Sequence, residues 1–154
     1  MDLGDLISTD SVIARLPAKS KKQVLQALSA HAAEHTDLPE RDIFDTLLQR
    51  EKLGSTGVGR GVAIPHGKLA GLPQILGIFA RLEQPVEFES VDREPVDLVF
   101  LLLAPESAGA DHLKALARIS RLLREPASIE KLRAAKDETA LYTLLSQVTT
   151  SHAA

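Results

Sequence analysis

The sequence predicts an α/β or α+β sandwich in which helices cover both faces of a mixed β-sheet. Three observations predict this fold class. Residues 96–104 form a continuous, bulky apolar run that ends at Pro105, which is typical of a central strand. In residues 74–82 both alternating sets of side chains are largely apolar, so both faces of that strand need cover. Segments with helical apolar spacing lie before and after these strands.

Before the central strands we expect one short strand and two helices. Residues 11–16 favour a strand that stops at Pro17, and Ser20 with Gln23 reads as a capping box for a helix that reaches about His35. A second helix is predicted from near residue 39 to residue 52, with proline in its first turn. The predicted apolar faces are Val24, Leu25, Leu28 and Ala32 in the first helix, and Ile43, Phe44, Leu47 and Leu48 in the second.

Around and after the central strands we expect two short strands and three helices. Residues 61–64 predict a brief strand and residues 86–88 a short edge strand. Asp111 is predicted to cap a helix that runs to about residue 124, Pro126 to open a short helix, and Asp137 to cap the last one. The predicted inward residues are Leu113, Leu116, Ala117 and Leu123, then Ile129 and Leu132, then Leu141, Leu144, Leu145 and Val148.

Length and composition narrow the functional classes. The 154 residues, 44% of them hydrophobic, suffice for one core, so we expect a single domain over residues 1–154 with a frayed tail from about residue 149. The net charge of -3 argues against a nucleic-acid partner, because phosphate-backbone binding needs a basic face. Residues 1–5 are acidic where a signal peptide is basic, and no apolar run could span a bilayer, so we expect a cytoplasmic protein without membrane insertion.

A glycine-rich stretch is the strongest functional signal. Four glycines, at positions 54, 57, 59 and 61, fall within eight residues and precede Pro65 and His66. Glycines leave backbone N–H groups accessible and permit positive φ, so such a loop can wrap an anion, and Pro65 stiffens the approach to His66. An imidazole presented in this way beside anion-binding amides indicates phosphoryl chemistry.

A phosphoryl-accepting imidazole needs an accessible nitrogen, donors for the phosphoryl oxygens, and a nearby cation. Candidate donors and cations near His66 are Ser55, Thr56 and Gly57, with Arg50 and Lys68. Two nucleotide motifs are excluded by their spacing. Gly-Lys at residues 67–68 is not followed by Ser or Thr, and the glycines of residues 57–61 lack the Gly-x-Gly-x-x-Gly order. A small metal-binding or anion-binding domain remains an alternative.

The other histidines give weaker signals. His31, Glu34 and His35 reproduce the His-x-x-Glu-His spelling of a zinc hydrolase, but such an enzyme needs a further ligand and a cleft, so we expect two solvated histidines there. The sequence has no cysteine, and we expect neither a metal nor another cofactor. His112 opens the helix after the central strand. If that strand and the strand before His66 end on the same side of the sheet, the two histidines are neighbours.

These motifs resemble the enzyme IIA proteins of the bacterial phosphoenolpyruvate phosphotransferase system, in their mannitol/fructose group, and within it the nitrogen-related branch. The resemblance covers nearly the whole chain. Its motifs are Arg-Glu-x-Leu-Gly-Ser-Thr-Gly at residues 50–57, Gly-Val-Ala-Ile-Pro-His-Gly-Lys at 61–68, Pro-Val-Asp-Leu-Val at 95–99, and His112 with Leu113.

The resemblance implies a mixed sheet with helices on both sides and a tele-phosphohistidine at His66. It implies that Arg50 faces the phosphate and that His112 is a second active-site histidine, with Ser55, Thr56, Gly57 and Lys68 as phosphate lining. The donor it implies is an HPr-like carrier, itself charged by enzyme I.

Two functional classes then compete. In one, the protein is a regulator whose phosphorylation state governs its binding to targets such as transporters or sensor kinases. In the other, it is a sugar-specific component that passes the phosphoryl group to a IIB protein. The chain ends shortly after its last predicted helix, without a IIB segment, so we expect the regulator.

Overall fold

The computed structural model describes the backbone of residues 2–151 and the side chains of residues 2–147. In that part of the chain the strands are β1 (Val12–Leu16), β2 (Gly57–Gly59), β3 (Val62–Ala63), β4 (His66–Leu69), β5 (Leu76–Val86) and β6 (Val96–Pro105). The α-helices are α1 (Lys21–Glu34), α2 (Glu40–Leu53), α3 (Ala110–Leu122), α4 (Pro126–Ala134) and α5 (Glu138–Ser151). Short 3-10 helices span Leu3–Asp5 and Thr9–Ser11.

The strands form one mixed sheet in the order β1-β5-β6-β3-β2, and β4 also pairs with β6. Strand β5 is antiparallel to β6 and parallel to β1. Strands β3 and β4 follow one another along the same edge of β6, both parallel to it, so that Val62 lies opposite Leu98 and His66 opposite Leu102. The predicted mixed sheet is confirmed. His66 lies beside the carboxyl-terminal half of β6, the central strand of the sheet.

Two apolar cores cover the two faces of the sheet. Alternate residues of β6 point to opposite cores and are all fully buried, with Val99, Leu101 and Leu103 in one core and Leu98, Phe100 and Leu102 in the other. The first core is closed by α1 and α2, and the second by α3, α4, α5 and the N-terminal 3-10 segment. Strand β6 therefore buries apolar side chains on both of its faces, which removes apolar surface from water on both sides of the sheet. It is the central strand, as predicted.

The predicted first strand and first two helices are confirmed, with two corrections at helix starts. The Ser20 hydroxyl accepts a hydrogen bond from the Gln23 amide N–H, as a cap does. The Gln23 side-chain oxygen, however, accepts from the Lys19 amide at 2.8 Å, so the second bond of the capping box goes one residue upstream. Pro39 is the N-cap residue of α2, one position outside the helix.

Of the four residues predicted to face inward from α3, Leu116 and Leu123 are confirmed, whereas Leu113 and Ala117 are wrong. Leu113 is 66% exposed and Ala117 is also exposed, whereas the buried residues of this helix are His112, Ala115, Ile119 and Leu122. Apolar residues occur at several phases of this helix, so their spacing fits more than one face. Asp111 lies inside the first turn, because the N-cap is Gly109.

The remaining predictions concern one edge strand, the last two helices and the tail. Residues 86–88 do not form a separate edge strand, because Val86 is the last residue of β5 and pairs with Val96 beyond a register shift. Helices α4 and α5 are confirmed, and the Asp137 carboxylate caps α5 by accepting from the Ala140 amide at 2.9 Å. The predicted packing of Val148 lies outside the described side chains. The backbone is helical through Ser151, and the rest of the predicted frayed tail lies outside the described residues.

Among the helices of residues 2–151, none combines the length and the apolar character that crossing a membrane requires.

Candidate active site

His66 is the first residue of β4, and backbone hydrogen bonds hold the two residues before it in place. The Leu102 amide donates to the Pro65 carbonyl at 2.9 Å, and the Ile64 amide donates to the Thr56 carbonyl at 2.9 Å. These bonds tie the two residues before His66 to the central strand and to the glycine-rich segment. The imidazole is therefore held at the sheet edge while remaining partly exposed.

Hydrogen bonds give the two ring nitrogens of His66 different roles. Nδ1 lies 2.9 Å from the Ile64 carbonyl oxygen, which can only accept, so Nδ1 carries the proton. Nε2 accepts from Arg50 Nε at 3.3 Å and so has its lone pair. Burial lowers the pKa of His66, more than the Ile64 bond raises it, and the Arg50 charge lowers it further. At neutral pH the ring is uncharged, and its unprotonated nitrogen faces a guanidinium.

Arg50 reaches His66 because α2 lies close against β4. A Cβ atom added at Gly67 would come within 2.7 Å of the Thr46 methyl carbon, so the glycine permits the close approach of helix and strand. Arg50 Nη1 donates to the Gly54 carbonyl at 2.9 Å, which orients the guanidinium across the end of its own helix. The arginine is thus half-buried and aimed at the imidazole.

His112 joins His66 from the first turn of α3. The ring centroids are 5.8 Å apart and the planes are inclined by 48°. His112 is 8% exposed, and its buried Nδ1 has no hydrogen-bond partner among the described residues. Burial lowers its pKa, and the charges of His66 and Lys68 lower it further. The structure therefore brings together the two histidines that the sequence only allowed to be neighbours.

Sequence reasoning missed a buried ionic group behind this pair. The Glu51 carboxylate, 4% exposed, lies 2.6 Å from Lys21 Nζ and accepts from both the amide N–H and the hydroxyl of Thr56. It links α1, the end of α2 and the glycine-rich segment. An acidic residue in the last turn of a helix is disfavoured by the helix dipole, and that misfit was the available signal.

The predicted phosphate lining has other partners. The Thr56 amide is used by Glu51, the Gly57 amide donates to Ser55 Oγ at 3.0 Å, and Ser55 Oγ donates to the Phe88 carbonyl at 2.5 Å. A Cβ atom at Gly57 would lie 2.2 Å from Ser90 Oγ, so this glycine serves close packing. For these three residues phosphate binding remains a prediction, and it requires the present bonds to open. Lys68 is exposed.

His31 and His35 contact one another and Asp10, and none of their hydrogen bonds reaches His66 or His112. Their Nε2 atoms are 3.1 Å apart, and both approach the Asp10 carbonyl oxygen. Within the described residues, no group of three or more His, Cys, Asp or Glu residues could hold a metal ion.

Residues 5–148 match the family described as phosphoenolpyruvate-dependent sugar phosphotransferase system, EIIA 2. The chain belongs to this family. It is 60% identical over 146 residues to a nitrogen regulatory protein of Bradyrhizobium diazoefficiens, and the match covers 95% of each chain.

Solved structures agree with this family assignment. The crystal structure of the nitrogen regulatory protein IIA-Ntr from Neisseria meningitidis is similar at 34% identity, with a TM-score of 0.89 over 93% of this chain and 98% of that one. Mannitol enzyme IIA of Escherichia coli, solved in complex with phosphorylated mannitol enzyme IIB, shares the fold at 18% identity, with a TM-score of 0.75 over 90% of this chain and 96% of that one. The chain is a phosphotransferase-system EIIA component related to nitrogen regulatory proteins.

Proposed function

We propose that His66 accepts a phosphoryl group at Nε2 from a phosphohistidine on an HPr-like carrier. The observation that carries this proposal is the pairing of a protonated Nδ1, bound to the Ile64 carbonyl, with an Nε2 lone pair that faces Arg50. A bond forms between Nε2 and phosphorus while the bond from phosphorus to the carrier nitrogen breaks. The carrier imidazole leaves with the electron pair, and each ring keeps the proton on its other nitrogen.

Arg50 and His112 stabilise the phosphoryl group during transfer. The guanidinium offsets negative charge on the equatorial oxygens in a loose transition state. His112 turns a second imidazole toward the same space, with ring centroids 5.8 Å apart, and can bind a phosphoryl oxygen. Because donor and product are both phosphohistidines, transfer is close to thermoneutral, so catalysis consists mainly of positioning.

The proposed downstream role is regulatory. Phosphorylation replaces a neutral ring by roughly -1.5 to -2 charges, by analogy with other phosphorylated side chains, and so changes which surfaces the site can bind. The 60% identity to a nitrogen regulatory protein favours this role, with transporters or sensor kinases as targets. The alternative is transfer to a separate IIB protein during fructose-type or mannitol-type uptake, which the IIA–IIB complex of the mannitol relative favours.

The first test is reconstitution of the phosphoryl chain. Purified protein is incubated with enzyme I, an HPr-like carrier and phosphoenolpyruvate, and acid-labile phosphate is mapped by mass spectrometry. We expect one phosphoryl group on His66, its loss in His66→Ala, and normal labelling in the matched control His35→Ala. Undiminished labelling of His66→Ala would overturn the proposal.

The second test separates regulator from sugar carrier. A fructose-type or mannitol-type IIB protein, its membrane component and the sugar are added to the phosphorylated protein. We expect the phosphoryl group to persist. Rapid loss of label with stoichiometric sugar phosphate would establish the alternative, and His66 would remain the acceptor in either case.

A further inference from the structure

The Glu51 carboxylate is a buried charge that the proposed transfer does not use. Its side chain is 4% exposed and lies at the end of α2, directly after Arg50. One oxygen accepts from the amide N–H and the hydroxyl of Thr56, and the other lies 2.6 Å from Lys21 Nζ. Burying a charge is costly even when it is paired, and well-packed apolar residues are often as stable in its place. Stability alone is therefore a weak reason for a carboxylate here.

A continuous series of hydrogen bonds runs from this carboxylate to the ring of His66. Glu51 accepts from both donors of Thr56, and the Thr56 carbonyl accepts from the Ile64 amide at 2.9 Å. The Ile64 carbonyl in turn accepts from His66 Nδ1 at 2.9 Å. Thr56 and Ile64 are both buried, so water has little access to these bonds. The imidazole is thus connected to Glu51 through the interior of the protein.

The peptide unit between Ile64 and Pro65 depends on its neighbours for its orientation. Pro65 has no N–H, so this unit has no donor of its own to anchor it. On one side it is held by the Ile64 amide, which donates to Thr56, and on the other by the Pro65 carbonyl, which accepts from the Leu102 amide. The Ile64 carbonyl keeps the proton of His66 on Nδ1. If Thr56 moves, that bond weakens and the proton can occupy Nε2, which removes the lone pair that accepts phosphorus.

The orientation of Arg50 depends on the same short segment. Arg50 Nη1 donates to the Gly54 carbonyl at 2.9 Å, while its Nε donates to His66 Nε2 at 3.3 Å. Gly54 lies two residues before Thr56, and glycine leaves the backbone between them free to adopt many conformations. Fixing Thr56 therefore limits where the Gly54 carbonyl can lie.

We propose that Glu51 is a positioning residue for phosphoryl transfer at His66. Through Thr56 it fixes the two backbone carbonyl groups that orient the imidazole and the guanidinium. Lys21 balances its charge, so the carboxylate can stay buried beside the site. This inference rests on the proposed function of His66 as the phosphoryl acceptor.

The first measurement is the tautomer of His66 in the unphosphorylated, full-length protein at about pH 7.5, from long-range nitrogen–proton spectra. We expect the proton on Nδ1 in wild type and a mixture of the two tautomers in Glu51→Gln. Thr56→Val keeps Glu51 and Lys21 but removes the hydroxyl bond, and it should shift the spectrum in the same direction. Thr56→Ser keeps the hydroxyl and should resemble wild type. If Glu51→Gln does not fold, Thr56→Val decides the question.

The second measurement is rapid-quench labelling by the phosphorylated HPr-like carrier at increasing carrier concentration. In Glu51→Gln the rate at saturating carrier should fall about tenfold, since small displacements of reacting groups slow transfer. The carrier concentration that gives half the maximal rate should change less than about twofold, because a buried residue does not contact the carrier.

The matched control for lost stability is Leu141→Ala. It opens a cavity in the core on the opposite face of the sheet from α2. This variant should lower the melting temperature at least as much as Glu51→Gln does, yet leave the tautomer and both labelling parameters at their wild-type values.

The proposal is overturned if Glu51→Gln keeps the wild-type tautomer, if its saturating rate lies within about twofold of wild type, or if Leu141→Ala lowers that rate equally. Failure of the proposed function is a different result. In that case wild type would not be labelled on His66, while the tautomer spectra would still show whether Glu51 fixes the ring.

Discussion

The molecule contains two histidine pairs that are built in different ways. His31 lies in the last turn of α1 and His35 is its C-cap residue, and both rings are at least partly open to solvent. His66 and His112 come from a strand and a helix that meet only in the folded sheet, and His112 is buried. The first pair depends on local spacing, whereas the second depends on topology.

This difference in setting produces a difference in chemistry. Burial lowers the pKa of both rings of the His66 pair, which keeps them uncharged beside Arg50, so one nitrogen can act as a nucleophile. The other pair lies nearer to solvent, and both rings approach the Asp10 carbonyl oxygen. The same side chain thus lies in two different electrostatic settings, according to what surrounds it.

The largest expected effect concerns Arg50, the cation beside the His66–His112 pair. Arg50→Ala should fold normally and lower the rate of phosphoryl labelling by about 100-fold, since one charge-stabilising donor is lost. The matched control is Arg60→Ala, because the Arg60 guanidinium donates to the Arg124 carbonyl and not to His66, while its backbone amide, which donates to the Asp92 carboxylate, is kept in the variant. Rapid-quench labelling measures both rates. An Arg50→Ala rate equal to that of wild type would remove the proposed clamp.

Next in size is the buried carboxylate behind the His66 pair. Glu51→Gln leaves Lys21 without its 2.6 Å partner and should lower the free energy of unfolding by about 2 kcal/mol, less than for a fully buried pair because Lys21 is 18% exposed. The Glu89 side chain, which carries the other carboxylate near Lys21, is 79% exposed. Glu89→Gln should therefore change the free energy of unfolding by less than about 0.5 kcal/mol. Denaturant unfolding measures both, and equal effects would contradict the assignment.

A smaller effect is expected from pH. The folded-state pKa of His66 and of His112 lies below the ordinary value of 6.5, so the unfolded chain binds protons more readily. The stability these rings contribute is complete above about pH 6.5 and is lost as the pH falls toward the folded values. Unfolding in denaturant at pH 7.5 and 5.5 should show this loss. The double variant His66→Gln/His112→Gln should lose less on acidification, and an equal loss would refute the prediction.

The smallest effect is expected at the exposed His35. His35→Gln should change the free energy of unfolding by less than about 0.5 kcal/mol, as is usual for surface substitutions. Thermal and denaturant unfolding measure the change. A loss above about 1 kcal/mol would mean that the contacts of His35 with His31 and with the Asp10 carbonyl stabilise the fold.

The predicted elements were mostly correct where the apolar pattern allowed one interpretation. Strand β6 and helices α1 and α2 are examples, because their apolar residues define either two buried faces or a single stripe. Helix α3 was correctly expected, but two of its four predicted inward residues, Leu113 and Ala117, are exposed, because its apolar residues fit several faces. The glycine-rich segment was interpreted as an anion loop, yet Gly57–Gly59 forms a strand whose glycines permit close packing.

Patterns along the chain were enough to predict the mixed sheet with its helices and the resemblance to the enzyme IIA proteins, because each depends on residues that are close in sequence. Three contacts became known only from the folded arrangement: Arg50 reaches Nε2 of His66, His112 turns inward, and Glu51 pairs with Lys21. Those contacts join different elements. Their geometry depends on how closely helices pack on strands, and periodicity within one element carries no information about that distance.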